Sequence, residues 1–466
     1  MRRRILLCGL PLVGAALLLS RQAPAGDPRL QAASRQERNG WIFVHLEGSP
    51  EQVGFQHGYL LAPEIAEAQK VIALVLERDT KQPWSFFREA ARTVFWPRVE
   101  EEYRRELNGI VEGLQARGVS LDVWDVTALN GFLEFSPYYI QWWEKRQGRP
   151  AAARSRESCS AFVATGSYTR DGRPVIGHNA WTGYLEGQRW NIIFDLVPAR
   201  GHRILMDGFP GLIHSADDFG INAAGIMITE TTISQFHGYD PKGIPEFVRA
   251  RKAMQYAASI DDFARLMRQG NNGGYANNWL VADRKTGEIA SLELGLKNVT
   301  LQRTRDGYFV GANFPVNEKL AREETDFDGK NPALSPNARR LRWEQLMREH
   351  KGRIDVAAAQ RFLSDHFDAF AGKEQPNERT LCGHIELSPR GVEPWQPPFA
   401  PAGAVQAKAT DATRAQRMAL TASMGHSCGL DFIAAEHLRR YPQFDWQKPY
   451  LRDLKSHPWT EFSALR

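Results

Sequence analysis

The chain has 466 residues, 42% hydrophobic and 24% charged, which excludes a disordered or fibrous protein and fits a soluble body of enzyme size. Its formal charge of +5 includes Arg2, Arg3, Arg4 and Arg21; without these four it falls to +1, which gives no support to nucleic-acid binding.

The N-terminus reads as an export leader over residues 1–25. The Arg2-Arg3-Arg4 cluster is followed by an apolar run from Ile5 to Leu19 and by the small-x-small site Ala23-Pro24-Ala25. The run is short for a membrane span, Cys8 lacks a lipobox-like context, and no later segment approaches a span. A secreted or periplasmic protein with no transmembrane segment in the mature chain is expected. Cys8 would leave with the leader, so Cys159, Cys382 and Cys428 remain. In an oxidising compartment an odd count suggests one disulfide, Cys382 with Cys428, and one thiol outside it, Cys159.

From about Glu51 to Asp79, and again from Pro97 to Leu114, apolar residues recur at helical spacing, so the N-terminal third is expected to be mainly helical. Gln147–Glu157 is small, basic and loop-like. Strand patterns follow. Cys159–Ala164 and Arg173–Asn179 flank a turn at Asp171-Gly172, and further strands are expected at Trp190–Leu196, His202–Met206, Gly225–Thr229, Trp279–Ala282, Glu288–Leu294 and Tyr308–Gly311. Helical patterns return at Gly243–Ala258, Ile260–Arg268, Pro336–Glu349, Val356–Asp365 and Ala412–Ala422, while the Pro-rich Val392–Ala404 reads as an extended loop. The fold class is α+β, with a layered αββα body as the expected arrangement.

A cysteine opening a strand directly after an accessible loop suggests a chemistry. Breaking the Ser158–Cys159 bond would give Cys159 a free α-amine beside its own thiol. An α-amine with a pKa of about 7.7–8.0 is a competent base near neutrality, so one residue would supply nucleophile and base together. The plainer reading is a buried structural cysteine.

The surrounding motifs bear on that choice. Cys159-Ser160-Ala161-Phe162, the turn Thr169–Gly172 and His178-Asn179-Ala180-Trp181 resemble the start of the catalytic chain in N-terminal-nucleophile (Ntn) hydrolases of the phospholipase B-like family. The related acyl-CoA:isopenicillin N acyltransferase group shares the plan. The resemblance continues through Asp207-Gly208-Phe209-Pro210-Gly211, Ser215–Phe219, Gly220-Ile221-Asn222, Thr229–Ile233 and Gly274–Trp279. Upstream, Gly48-Ser49-Pro50, Gly54–Gly58 and Glu106–Ile110 are similar to the acyltransferase pro-segment.

The resemblance implies a precursor cut between Ser158 and Cys159 into a helical chain, 26–158, and an Ntn catalytic chain, 159–466, that stay associated. It implies Cys159 as nucleophile, Asn277 as oxyanion donor, and His178 and Asn179 lining the nucleophile and its amine. Glu230 lies in a matched run, where it could equally hold backbone. The implied activity is cleavage of an amide or ester acyl bond, of a phospholipid or an N-acylated small molecule, by hydrolysis or acyl transfer, with no cofactor or metal. The acyltransferase group's Asn-His-Phe run stands here as Asn313-Phe314-Pro315, without the His, and its Arg could be Arg303 or Arg339.

Rival readings are a non-catalytic Ntn-fold binding protein and a Ser427 lipase or esterase. The second rests on Gly425-His426-Ser427-Cys428-Gly429, a G-x-S-x-G match with too little chain after it for the rest of an α/β-hydrolase. Cys382-Gly383-His384 and His426-Ser427-Cys428 could also bind Zn(II), although ligand pairs one residue apart are tighter than usual. The disulfide is the simpler reading, and two unpaired thiols the third. Asn298-Val299-Thr300 is a glycosylation sequon only in a source that glycosylates exported proteins.

Overall fold

The computed structural model describes residues 26–149, 159–216, 219–392 and 394–465. The expected leader (1–25), most of the basic loop, Ser158, Asp217 and Asp218 lie outside the described residues. The chain forms a mixed α+β body built on two large sheets.

The nine-stranded sheet runs in the order Ser34–Arg38, Trp41–Gly48, Ile192–Pro198, Ile204–Gly208, Gly220–Asn222, Ile226–Thr232, Asn277–Asp283, Ile289–Leu294, Val299–Thr304. The six-stranded sheet runs Gly307–Gly311, Ser160–Thr165, Val175–Gly183, Ala402–Asp411, Ala419–Met424, Thr460–Ser463. Pairing within both is antiparallel except where Trp41–Gly48 lies parallel to Ile192–Pro198, from Ile42 opposite Ile192 to Gly48 opposite Pro198.

Side-chain alternation sorts these strands into layers. Along Ser160–Thr165, Ala161 and Val163 join a core with Ile193, Leu205, Met227 and Leu280 of the other sheet, so the two sheets pack face to face. Phe162 and Ala164 point the other way, onto Trp343 and Phe362 of the helices Ser335–Glu349 and Val356–Leu363. The far face of the nine-stranded sheet is covered by the N-terminal helices and by Glu246–Tyr256 and Ile260–Arg268.

The N-terminal segment is less purely helical than its periodicity suggests. It opens with the hairpin Ser34–Arg38 and Trp41–Gly48, turned at Asn39-Gly40, whose φ angles of 49° and 79° suit a tight hairpin turn. The helix Pro50–Leu60 starts in a capping box between Ser49 and Gln52. It crosses Glu101–Ala116 at backbone contact: a Cβ on Gly54 or Gly58 would stand 2.0 Å from the carbonyl oxygens of Glu106 and Ile110, and one on Gly113 would stand 2.3 Å from that of Phe55. The C-terminal part also differs from expectation. Ala412–Ala422 is not one helix but a short helix, Ala412–Gln416, followed by the strand Ala419–Met424, and the loop expected over Val392–Ala404 gives way to a strand at Ala402. Among the described residues no helix is long and apolar enough to cross a membrane.

Candidate active site

Cys159 immediately precedes the strand Ser160–Thr165 and is 1% exposed. Its φ is 102°, a conformation that a residue with a Cβ rarely adopts and that stores strain on the backbone. Its carbonyl oxygen accepts from Arg339 Nη1 at 2.6 Å, and the same nitrogen donates to Ser160 Oγ at 3.1 Å. Arg339 is fully buried. Its Nη2 donates to Asn313 Oδ1 at 2.9 Å, its Nε to Ser335 Oγ at 3.0 Å, and its guanidinium stacks 4.3 Å over the Trp181 ring. Of the two arginines left open by the sequence, Arg339 therefore sits at the cysteine. Arg303 bridges Glu288 and Asp261 at the surface.

A His178 ring nitrogen, the Cys159 sulfur and a Glu230 carboxylate oxygen lie within 4.8 Å of one another, all three residues buried. Burial, and after it the charge of Lys408, hold His178 well below the ordinary imidazole pKa, so its ring is neutral. Among the described residues neither ring nitrogen of His178 has a hydrogen-bond partner. Lys408 itself is fully buried against Asp207 at 2.7 Å; Asp207 also accepts from Ser215 Oγ at 2.6 Å and Gln406 Nε2 at 2.9 Å. Lys408 escapes sequence reading, because nothing local marks a lysine as the buried partner of an aspartate two hundred residues away.

Asn179 lies opposite Ser160 in the register, and both its Nδ2 hydrogens are spent, on Leu363 O and Leu381 O at 2.9 Å each. Its amide nitrogen is a clamp on the helical layer. Asn277 begins the strand Asn277–Asp283 fully buried, and among the described residues both its amide nitrogen and oxygen lack a partner. The two sheets are in close contact nearby: a Cβ on Gly311, which stands opposite Ala161, would come within 2.4 Å of Thr231 Oγ1.

The loop before Asn277 is held by the N-terminal segment. Glu134 Oε1 accepts from Glu246 N at 2.6 Å, its other oxygen accepts from Asn272 Nδ2, and Tyr138 Oη accepts from Ala276 N at 3.1 Å. Tyr275, at a φ of 49°, donates to Glu230 Oε1 at 3.0 Å. Burial raises the Glu134 carboxyl to about 7, against a smaller opposing effect of Arg249. Glu134 and Tyr138 escape sequence reading because the contact is tertiary.

Cys382 and Cys428 lie apart from Cys159 as free thiols, so the expected disulfide is absent from the structure. Each sulfur faces Nε2 of His384, at 3.6 and 3.5 Å, instead of bonding its partner. Ser427 Oγ donates to Leu363 O at 2.8 Å, and His426 uses Nδ1 on Leu430 O and Nε2 on Tyr184 Oη, so among the described residues no histidine base is hydrogen-bonded to that serine. A strand does precede Ser427, but the helix that a nucleophile elbow requires directly after it is replaced by a turn, with the next helix at Ala434. Surface cavities of about 470 Å³, beside Arg35 and Arg189, and about 730 Å³, beside His384 and Phe432, leave Cys159 unlined.

Comparison with known proteins gives the family. The family model described as phospholipase B matches residues 85–460, on both sides of Cys159. A putative phospholipase B-like 1 of Caenorhabditis elegans is 23% identical over 64% of this chain and 57% of its own length. A putative phospholipase B-like 2 of the same organism is 24% identical over 41% and 34%, and an uncharacterised protein of Archaeoglobus fulgidus is 27% identical over 53% and 42%. The matched stretches thus span less than two thirds of each of these relatives.

Proposed function

The chain belongs to the phospholipase B-like family, and from that premise we propose an exported, self-processing Ntn hydrolase that cleaves ester or amide acyl bonds of a lipid or an N-acylated small molecule. The two stacked sheets serve as its four-layer Ntn sandwich. The observation that carries the reading is Cys159 itself: buried, in a left-handed backbone conformation, its carbonyl gripped by a buried arginine and its thiol beside a neutral histidine. Export rests on the leader sequence alone.

In the processing step the Cys159 sulfur attacks the carbonyl carbon of Ser158. The C–S bond forms, the peptide C–N bond then breaks as the nitrogen takes the proton given up by the thiol and becomes the α-amine, and water hydrolyses the thioester to free the Ser158 carboxyl group and return the thiol. In turnover that amine accepts the thiol proton as sulfur attacks the substrate carbonyl, then returns it to the leaving alcohol or amine. Water resolves the acyl-enzyme. Asn277 supports the oxyanion role because its amide donor is unspent and the loop before it is fixed by Glu134 and Tyr138. Asn179 and Arg339 are positioning residues.

Intact-mass measurement tests the first step and an acyl-substrate screen the second. Two chains, the larger starting at Cys159, with turnover on phospholipid or N-acyl substrates, is the expected result. Cys159→Ala should give one chain and no turnover; normal processing and turnover in that variant would sink the mechanism, and a single inert parental chain would favour a binding protein.

A further inference from the structure

Away from Cys159, four Lewis bases converge on one point. His366 lies between the helix Val356–Leu363 and the strand Phe367–Asp368, Cys382 and His384 lie in the loop before Ile385–Leu387, and Cys428 lies in the turn after Ala419–Met424. Their ligand atoms all lie within 4.8 Å of one another. We infer that His366, Cys382, His384 and Cys428 form a structural Zn(II) site that ties these three segments together.

The distances carry this reading. A tetrahedral zinc with Zn–S near 2.3 Å and Zn–N near 2.05 Å requires N···N of about 3.3 Å and S···N of about 3.6 Å between its ligands. Here the two Nε2 atoms are 3.2 Å apart, and the sulfurs of Cys382 and Cys428 lie 3.6 and 3.5 Å from His384 Nε2. At His384 a second layer is in place. His384 turns Nδ1 to Glu386 Oε1 at 2.8 Å, which fixes the proton there and leaves the Nε2 lone pair facing the other three ligands. Glu386 in turn accepts from Tyr184 Oη at 2.6 Å, and the His426 ring packs 4.3 Å from that of His384. His426, the sequence candidate, is therefore a neighbour, and His366 takes its place. A cavity of about 730 Å³ lined by His384 and Glu386 provides an entry path.

Binding forms two Zn–S and two Zn–N bonds and releases the two thiol protons to solvent, leaving a neutral ZnS₂N₂ core. The tie reaches the candidate active site through structure alone. Leu381, whose carbonyl accepts from Asn179, directly precedes Cys382, and Leu363, its other acceptor, lies three residues before His366.

The test uses the full-length protein, its metal content measured by plasma mass spectrometry and its thiols titrated in denaturant with and without chelator. About one zinc per chain is expected, with two thiols masked until chelator is added. Cobalt(II) exchanged into the site should give tetrahedral d–d bands and thiolate charge transfer. His366→Asn, at a partly exposed ligand, should fold yet lose stoichiometric zinc, and Glu386→Gln should weaken zinc retention by about 10–100-fold. A Cys382–Cys428 disulfide with no metal, or reduced thiols that take up no zinc in equilibrium dialysis, would overturn the assignment.

Discussion

Arg339→Lys keeps the buried charge and removes the fork. In the native site one guanidinium nitrogen serves Cys159 O and Ser160 Oγ, a second serves Asn313 Oδ1 and the third Ser335 Oγ. A lysine ammonium is a single point that can follow the Cys159 carbonyl but cannot also span to Asn313 and Ser335. Two charge-assisted hydrogen bonds are lost, at about 1.5–3 kcal/mol each, and stacking on Trp181 weakens with them. We expect a loss of roughly 3–6 kcal/mol in denaturant unfolding, together with slower appearance of the chain beginning at Cys159. Asn313, held at a φ of 70° partly by this contact, would relax with it. Arg303→Lys is the control, since that residue makes only surface ion pairs and should change stability by no more than about 1 kcal/mol. If Arg339→Lys is as stable and as quickly processed as Arg303→Lys, the arginine does not position Cys159.

Three further outcomes are expected. Asn277→Ala should lower kcat by about 10²–10³-fold while leaving processing at least partly intact, measured in single-turnover and steady-state assays; a rate within a small factor of the parent would make Asn277 structural. Glu134 has a carboxyl raised by burial from 4.5 to about 7, so folding binds a proton that the unfolded chain releases, and this group's stabilising contribution falls as pH rises from 4.5 to about 7 and stays lost above it. Glu134→Gln should flatten that slope, worth on the order of 3 kcal/mol across the window, in unfolding curves taken at several pH values; an unchanged slope would place the titration elsewhere. Gly58→Ala should destabilise the protein despite alanine's gain of about 1 kcal/mol in helix propensity, because the added methyl meets the Ile110 carbonyl; a higher melting temperature would show that the two helices can part at little cost.

Much of the architecture was legible because the signals were periodic. The strands around Cys159 are short apolar runs bounded by turn residues and buried along their whole length, and Glu246–Tyr256 and Ile260–Arg268 fall within or on the helices expected from spacing. The strand Ala402–Asp411 was not. It is central to the six-stranded sheet, yet its sequence AGAVQAKATD is rich in alanine and carries Lys408 at a fully buried position, tolerated only because Asp207 meets it from the other sheet. The Asn39-Gly40 turn carries a hairpin signal in its sequence, but the strong helical spacing that follows at once masks it. At the site, Cys159, His178 and Glu230 do converge, whereas Arg339 was one of two candidates and Glu134 none, since no spacing joins residues that meet only through tertiary contact. No spacing marks His366 as a companion of the two cysteines, where His426 beside Cys428 was the sequence candidate; only the fold brings His366 to them.

The parallel pairing of Trp41–Gly48 with Ile192–Pro198 crosses the proposed cut before Cys159. A severed chain would then hold one sheet woven from two polypeptides, the smaller entering it as an edge hairpin pinned by its own helices. Leaving would mean breaking a ladder of backbone bonds together with the apolar face behind it, so the halves part only when the molecule unfolds. Reassembly would then depend on the meeting of two separate molecules, where the precursor needed only itself. The mature protein would carry its history in this way. Its endurance would be set by how slowly it comes apart and not by an equilibrium it can revisit, and dilution after denaturation would be irreversible for the cut form while remaining reversible for an uncut Cys159→Ala chain.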